Sequence, residues 1–220
     1  MNLILIGAQG SGKGTQASML IQQFGIRQLS SGDIFRIAIS QGTPLGIEAQ
    51  RYMDRGELVP DVLTINLFLD LIVTPENAAG IILDGFPRTR DQAVALDDAL
   101  PRLGRTIDYA IYLNVPRELL RSRLLDRYVC TAQQHVYNKK SKPPVVTGIC
   151  DIDGSPLVQR SDDTPAKIER RLEIFFDQTI QVVHYYRAQQ KLIEIDGNKS
   201  ITDVSATLLN ALGLRPENVA

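Results

Sequence analysis

The stretch Leu3-Ile4-Leu5-Ile6-Gly7-Ala8-Gln9-Gly10-Ser11-Gly12-Lys13-Gly14-Thr15 decides how the chain folds at its start. Its apolar run predicts a buried parallel strand, and the amphipathic pattern over residues 15–24 predicts a helix after it. The glycines let the backbone turn tightly, so that successive N–H groups point at one anion, and the helix adds its positive dipole end. Lys13 can then reach the terminal phosphates of a nucleotide. We interpret residues 7–15 as a phosphate-binding loop, against the alternative of a glycine-rich turn with an incidental lysine.

One position departs from the usual phosphate loop. Gly14 stands where many such loops carry Ser or Thr to contact magnesium, and Thr15 follows it. The sequence therefore predicts that Mg²⁺ is held mainly by phosphates and water, in keeping with the reluctance of this ion to lose its water shell.

Length and composition predict one domain, or one core with small insertions. The chain has 220 residues, of which 44% are hydrophobic, enough for a substantial core. A net charge of −1 argues against a general nucleic-acid or membrane binder. The longest apolar run, residues 67–73, is too short for a membrane span and contains Asp70. With two cysteines and no basic, apolar leader pattern, we expect a cytoplasmic protein.

Alternating strand and helix patterns continue along the chain. Apolar runs predict strands at residues 80–84, 110–115 and 192–196, and helix-start signals occur at Ser30, Thr43-Pro44, Pro60 and Pro116. A last helix is predicted over residues 201–212. This order predicts an α/β fold with a central parallel sheet covered by helices on both faces.

Residues 127–163 interrupt the alternation. They are rich in Pro, Gly, Lys and Asp, and short β-type runs occur at residues 135–137, 145–146 and 156–158. A loop of this length is either a functional lid or a solvated insertion. Arginines at both of its ends favour the lid: Arg123, Arg127, Arg160 and Arg171.

Several motifs together resemble one family. The phosphate loop, Ser30-Ser31-Gly32-Asp33, Asp84-Gly85-Phe86-Pro87-Arg88-Thr89, the insertion and Arg160-Ser161-Asp162-Asp163 occur in the order seen in adenylate kinases with a long lid. The resemblance covers nearly the whole chain and implies the three-layer P-loop NTPase fold. It also implies a core (residues 1–29, 60–126 and 164–220), a helical segment that binds the monophosphate (residues 30–59) and a β-rich lid (residues 127–163).

The resemblance implies an activity: reversible Mg²⁺-dependent phosphoryl transfer from ATP to AMP, giving two ADP, by a monomer. Pyrimidine monophosphate kinases share the Asp84–Arg88 motif but typically continue with Asn and have a short lid, so Thr89 and the long insertion favour AMP. The phosphate of an acceptor nucleotide has its second pKa at about 6 and needs little help to deprotonate. Arginines can therefore supply most of the catalysis by stabilising charge.

The same resemblance implies roles for individual residues. Donor binding is expected from Gly10, Ser11, Gly12, Lys13, Gly14, Thr15, Arg123, Arg127, Val136, Tyr137 and Lys199. Acceptor binding is expected from Ser31, Arg36, Glu57, Leu58, Val59, Gly85, Phe86, Pro87, Arg88, Gln92, Arg160 and Arg171. The residues expected to act on the transferred group are Lys13, Arg88, Arg127, Arg160 and Arg171. Asp84 would orient the water shell of Mg²⁺, with Asp33 nearby.

Some of these residues also have a simpler interpretation. Arg123 and Arg171 lie in helical segments and could form ordinary exposed ion pairs, which contribute little to stability. Asp162 and Asp163 precede Thr164-Pro165 and could cap the helix that follows.

The two cysteines raise the question of a metal. Relatives with zinc in the lid carry two ligand pairs, and here Cys130, Cys150 and Asp153 match three of the four positions. Gln133 occupies the fourth and is a poor zinc ligand; His135 could substitute for it, although its spacing differs. The alternative to a metal site is a lid held by hydrogen bonds among Cys130, Gln133, Cys150 and Asp153. A structural zinc site needs four ligands, so the sequence predicts no tight zinc.

Two other functions stay open at this point. A UMP/CMP kinase would share most of the motifs. A non-catalytic nucleotide switch would be expected to carry Asn-Lys-x-Asp, whereas here Asn198-Lys199-Ser200 is followed by Ile201.

Overall fold

The computed structural model describes residues 1–213. Its strands are β1 (Asn2–Ile6), β2 (Arg27–Ser30), β3 (Ile81–Asp84), β4 (Tyr109–Asn114), β5 (Arg127–Cys130), β6 (Val136–Asn138), β7 (Leu157–Val158) and β8 (Leu192–Asp196). Its α-helices are α1 (Lys13–Phe24), α2 (Ser31–Ser40), α3 (Pro44–Met53), α4 (Asp61–Ile72), α5 (Arg90–Ala99), α6 (Arg117–Leu125), α7 (Pro165–Ile174), α8 (Ile180–Ala188) and α9 (Ile201–Ala211). A π-helical turn, Phe175–Thr179, joins α7 to α8.

The central sheet is parallel throughout, in the order β2-β3-β1-β4-β8. Alternate residues of β1 enter different cores: Ile4 and Ile6 pack into one hydrophobic cluster, and Leu3 and Leu5 into another. All four side chains are at most 3% exposed. Helices therefore cover both faces of the sheet, which confirms the predicted three-layer α/β fold and explains the uninterrupted apolar run.

The helix-start signals work largely as predicted. The Ser30 hydroxyl accepts a hydrogen bond from the Asp33 N–H at 3.4 Å, and the Thr43 hydroxyl accepts one from the Gly46 N–H at 3.0 Å. Pro60 and Pro116 differ by one position: each precedes its helix, α4 or α6, and is not the first residue of it.

The sequence analysis missed one strand, and one of its short β-type runs forms no strand. Arg27–Ser30 forms the edge strand β2, which the sequence did not indicate because its apolar content is too low for a buried strand. Val145 and Val146 form no strand; they lie in a bend and are 89% and 55% exposed. β-branched residues favour a strand only where a neighbouring strand pairs with them, and in the described chain no strand pairs with residues 145–146.

Two smaller units flank the core. Helices α2 and α3 pack so closely that a Cβ on Gly46 would lie 2.1 Å from the Ala38 carbonyl oxygen. A separate cluster of Phe35, Ala49 and Val59 fills this helical segment. In the lid, β5 pairs antiparallel with β6 and β7. Across residues 1–213, no helix combines the length and the apolar character needed to span a bilayer.

Candidate active site

The loop between β1 and α1 is built to hold an anion. Gly10 and Gly12 have φ values of 86° and 97°, a backbone region that other residues rarely adopt. Because Gly12 is the N-cap of α1 and has no side chain, it leaves the first N–H groups of the helix free for a ligand. The Ser11 hydroxyl oxygen is buried and has no hydrogen-bond partner within residues 1–213.

Lys13 bends back over this loop. Its Nζ donates to the carbonyl oxygens of Gly7 at 2.7 Å and Ala8 at 3.2 Å, and it lies 4.0 Å from Asp84 Oδ1. Burial lowers the pKa of Lys13; Asp84 opposes this shift, while Arg88 and Arg127 add to it. The three cations therefore converge on one region, which a polyphosphate would neutralise.

Arg88, predicted to bind the acceptor, is a partly buried cation. Its Nε donates to the Gly85 carbonyl oxygen at 2.8 Å and its Nη2 donates to the Ser31 hydroxyl at 3.2 Å. Within residues 1–213 it has no carboxylate within 4.0 Å, and burial lowers the pKa of its guanidinium. Gly85 has a φ of 72°, and a Cβ there would lie 2.5 Å from Ser31 Oγ. The glycine thus leaves room for this arrangement.

A pocket next to Arg88 contains most of the residues predicted for acceptor binding. It is lined by Ser31, Gly32, Phe35, Met53, Glu57, Leu58, Val59, Thr64, Gly85, Arg88 and Gln92. The side chain of Phe86 is not among them: it is fully buried and stacks on Phe68, with ring centroids 4.3 Å apart. Sequence reasoning missed Phe35, Met53 and Thr64, since on helices such residues resemble ordinary core positions.

The arginines at the base of the lid are held by two adjacent aspartates. Asp163 accepts two hydrogen bonds of 2.7 Å from Arg127 and one of 2.7 Å from Arg171. Asp162 accepts from Arg160 at 2.6 and 2.8 Å and from Arg171 Nη1 at 2.9 Å.

Two simpler interpretations of this region were wrong. The aspartates do not cap α7, whose N-cap is Thr164; Asp163 is 1% exposed and turns to the arginines instead. Arg171 is 8% exposed and is not a surface ion pair, and its Nε has no hydrogen-bond partner in the described chain.

A cleft of about 1110 Å³ connects these groups. Besides the phosphate loop, its lining includes these predicted residues: Arg36, Glu57, Leu58, Gly85, Pro87, Arg88, Arg123, Arg127, Val136, Tyr137, Arg160, Arg171 and Lys199. Arg123 Nη2 donates to the Gly197 carbonyl oxygen at 3.0 Å and so braces one wall against the loop after β8. The Tyr137 hydroxyl is engaged within the lid, where it accepts from the Asp151 N–H at 2.8 Å.

Asp84 and Asp33, predicted for the Mg²⁺ water shell, both border the cleft. Asp84 Oδ2 accepts from the Gln28 side chain at 2.9 Å, while Oδ1 accepts no hydrogen bond within residues 1–213 and lies 4.0 Å from Lys13 Nζ. One carboxylate oxygen is thus available to water of a hydrated ion, a donor set that suits Mg²⁺. Asp33 instead forms an ion pair with Arg36; burial raises its pKa, but Arg36 and Ser30 outweigh burial and lower it.

The lid brings four metal-ligand side chains together. Sγ of Cys130 and of Cys150 each lie 3.4 Å from Nδ1 of His135. Asp153 Oδ2 lies 3.3 Å from Cys130 Sγ and 3.2 Å from His135 Nδ1. Zinc bonds of about 2.0–2.3 Å place tetrahedral ligand atoms roughly 3.3–3.7 Å apart, so these residues fit the ion. His135 thus lies beside the three residues that match by spacing, and four potential ligands are close together.

A glycine-rich loop between a parallel strand and a helix, facing a cleft lined with lysine and arginines, defines a P-loop nucleotide-binding protein. A family model described as adenylate kinase matches residues 5–191.

Curated relatives extend this match over nearly the full length. The chain is 46% identical to an adenylate kinase of Carboxydothermus hydrogenoformans over 212 residues, covering 96% of this chain and 99% of that protein. It is 43% identical to an adenylate kinase of Clostridium botulinum, covering 97% and 99%, and 44% identical to one of Staphylococcus aureus, covering 96% and 99%. The chain therefore belongs to the adenylate kinase family.

Proposed function

We propose that this chain catalyses the reversible reaction ATP + AMP = 2 ADP, with ATP in the phosphate-loop cleft and AMP in the pocket beside Arg88. Membership of the family makes the chain a phosphotransferase enzyme. The observation that carries the assignment of the acceptor pocket is Arg88, a partly buried guanidinium that forms no ion pair within residues 1–213. Removing a cation from part of its water without an opposite charge nearby is costly, and the phosphate of a bound monophosphate would supply that charge.

The proposed donor site is the phosphate loop with its neighbouring cations. The free N–H groups of the α1 terminus and Lys13 would hold the β- and γ-phosphates of ATP, and Arg127 would approach from the lid. Lys13 would leave the carbonyl oxygens of Gly7 and Ala8 for the phosphates, which are stronger, charged acceptors. Arg123, Val136, Tyr137 and Lys199 would surround the remainder of ATP.

The proposed acceptor site uses Arg88 and Arg36 for the phosphate of AMP. Its base would lie in the pocket between Ser31 and Gln92, against residues 57–59. Arg160 and Arg171 would contact the transferred group, because both border the cleft and the Arg171 Nε donor has no partner in the described chain. Holding both nucleotides in line and neutralising charge is sufficient for this chemistry, so no general base is needed.

Two metal ions are part of the proposal. Mg²⁺ would be held mainly by the nucleotide phosphates, with Asp84 binding its water; bound there, the ion neutralises phosphate charge. In the lid, zinc would be held by Cys130, His135, Cys150 and Asp153, and would have a structural role. We further propose that the enzyme works as a cytoplasmic monomer without nucleic-acid or membrane partners; sedimentation would test its oligomeric state.

The decisive experiment measures ADP formation from ATP with AMP, CMP, UMP or GMP, in the wild type and in Arg88→Ala. We expect AMP to be preferred, and kcat/KM for AMP to fall by about 100- to 1000-fold in Arg88→Ala, the range for losing one donor that stabilises charge in the transition state. Arg102→Ala removes an exposed arginine and serves as the matched control, with wild-type activity. A wild-type preference for CMP or UMP, the runner-up function, would contradict the proposal, and so would full activity in Arg88→Ala.

A further inference from the structure

Asp61, the first residue of α4, reaches across to helix α5. Its Oδ2 accepts a hydrogen bond from the Thr89 hydroxyl and its Oδ1 accepts one from the Gln92 side-chain amide, both at 2.7 Å. Gln92 is 2% exposed and lines the acceptor pocket. We propose that Asp61 is a positioning residue: it fixes the orientation of the Gln92 amide and so makes the pocket prefer 6-amino over 6-oxo purine monophosphates. This inference rests on the proposed function.

The contacts of Gln92 allow only one orientation of its amide. Its Oε1 accepts a hydrogen bond from the backbone N–H of Arg88 at 2.7 Å, whereas its Nε2 donates one to Asp61. An ionised carboxylate can only accept and a backbone N–H can only donate. Rotating the amide by half a turn would place oxygen against the Asp61 carboxylate and NH₂ against the Arg88 N–H. Both hydrogen bonds would be lost within a buried site, where unmade bonds are costly.

The fixed amide has a defined hydrogen-bonding capacity left over. One N–H of Nε2 remains, together with one lone pair of Oε1. A 6-amino purine offers the matching edge, because its N1 accepts and its amino group donates. A 6-oxo purine offers the reverse, a donor at N1 and an acceptor at O6. Arg88, which would hold the phosphate, lies four residues before Gln92, so the base can meet the Gln92 amide in only one alignment. In that alignment a 6-oxo purine places donor against donor and acceptor against acceptor.

Asp61 also ties two helices together, and this structural role has to be separated from the positioning role. The Thr89 hydroxyl donates to Asp61 while accepting from the Gln92 backbone N–H at 3.1 Å, as the N-cap of α5. Losing the Asp61–Thr89 bond would loosen the contact between α4 and α5. It would leave the Asp61–Gln92 bond, and with it the orientation of the amide, in place.

The test is Asp61→Asn, assayed with AMP and with inosine monophosphate as acceptors. Asparagine has nearly the same shape but can turn its own amide to donate to a rotated Gln92, so the constraint from residue 61 is removed and only the Arg88 N–H still favours the original orientation. We expect the ratio of kcat/KM for AMP to that for inosine monophosphate to fall by about tenfold or more, the value of one mismatched hydrogen bond. The KM for ATP should stay at the wild-type value. Calorimetric binding of both monophosphates gives the same ratio where turnover is slow.

Two controls complete the experiment. Asp70→Asn makes the same substitution at an exposed position of α4 and should leave the ratio unchanged. Thr89→Val should lower the melting temperature yet retain the ratio. A wild-type ratio in Asp61→Asn would overturn the inference, and so would an equal loss of discrimination in Thr89→Val. If the wild type makes no ADP from ATP and AMP, the proposed function itself fails, before any variant is compared.

Discussion

Two adjacent aspartates in this chain bind different arginines. Asp162 accepts hydrogen bonds from Arg160, whereas Asp163 accepts them from Arg127. Arg171 donates to both aspartates. Through these bonds the arginines are held near the cleft without a ligand. Phosphate oxygens of a bound nucleotide would therefore meet donors that are already oriented, which lowers the entropic cost of binding.

Asp162 should make stability depend on acid pH. Burial raises the pKa of this carboxyl, but the hydrogen bond and charge of Arg160, with Arg171 and Arg127, outweigh burial and hold it well below its ordinary value. A pKa lowered in the folded state stabilises the protein above the ordinary pKa of about 3.9, and this contribution is lost as the pH falls below it. Asp162→Asn lacks this titration. Urea unfolding should show the wild type more stable at pH 6, with the difference shrinking between about pH 4.5 and pH 3.

The control for this prediction is Asp98→Asn, which removes an exposed carboxylate of α5. Its stability should follow the wild type across the same pH range. A constant difference between the wild type and Asp162→Asn from pH 6 to pH 3 would show that the arginine contacts do not depend on the charge of Asp162.

Whether a strand or helix of this chain can be predicted depends on whether consecutive residues carry its pattern. Strand β1 and the loop after it are predictable because burial on both faces and tight turning each leave a pattern in consecutive residues. The edge strand β2 is not, because its place is decided by pairing with β3, far along the chain. The contact of Asp61 with Gln92 is unpredictable for the same reason. In the sequence Asp61 is an ordinary acidic residue in a first helical turn, and only the fold places α5 beside it.

In the lid, spacing along the sequence does not identify all of the potential metal ligands. Counting by spacing assigns the position after Cys130 to Gln133, whose side chain cannot replace a thiolate. The turn that follows places Gln134 at a φ of 60° and brings His135 back to Cys130, whose Sγ accepts from the His135 N–H at 3.2 Å. Since a left-handed residue other than glycine is uncommon, no residue pattern announces this turn.

The proposed zinc site predicts metal content and lid stability together. Protein purified without chelator should contain about one zinc per chain, and removing it should lower the melting temperature, because metal binding contributes folding free energy. His135→Ala should lose most of the zinc, as measured by elemental analysis. Substituting cobalt should give the wild type an absorption spectrum with thiolate charge-transfer bands.

His184 provides the matched control, since it is the other histidine of the chain and lies exposed on α8. His184→Ala should retain the metal and the melting temperature of the wild type. Metal-free wild-type protein with an unchanged melting temperature would contradict the zinc site, and would restore the original expectation of a lid held by hydrogen bonds alone.

On the scale of the whole molecule, the proposed donor and acceptor sites draw on units with separate cores. The helical segment has its own cluster around Phe35, and the lid has one around Cys130 and Tyr137, whereas the sheet and its helices form the two large clusters. The cleft is lined by all three units. Units that are packed internally can shift as bodies, and closing them over the substrates would exclude the water that otherwise competes for the phosphoryl group.

A single molecule that occupies both sites should therefore bind once and compact the enzyme. Two adenosines joined through a polyphosphate chain would place one base in the donor cleft and the other near Gln92, with the phosphates between Lys13 and Arg88. We expect calorimetry to give one such molecule per chain, and small-angle scattering to show a smaller radius of gyration than with ATP alone. At a concentration of about 1000 times Kd, the free energy of unfolding should rise by about 4 kcal/mol. Arg88→Ala should weaken binding by at least about tenfold, as expected for a lost charged hydrogen bond, while binding of ATP alone changes little. Two molecules bound per chain, or equal affinity in the wild type and Arg88→Ala, would show that the two regions do not form one continuous bisubstrate site.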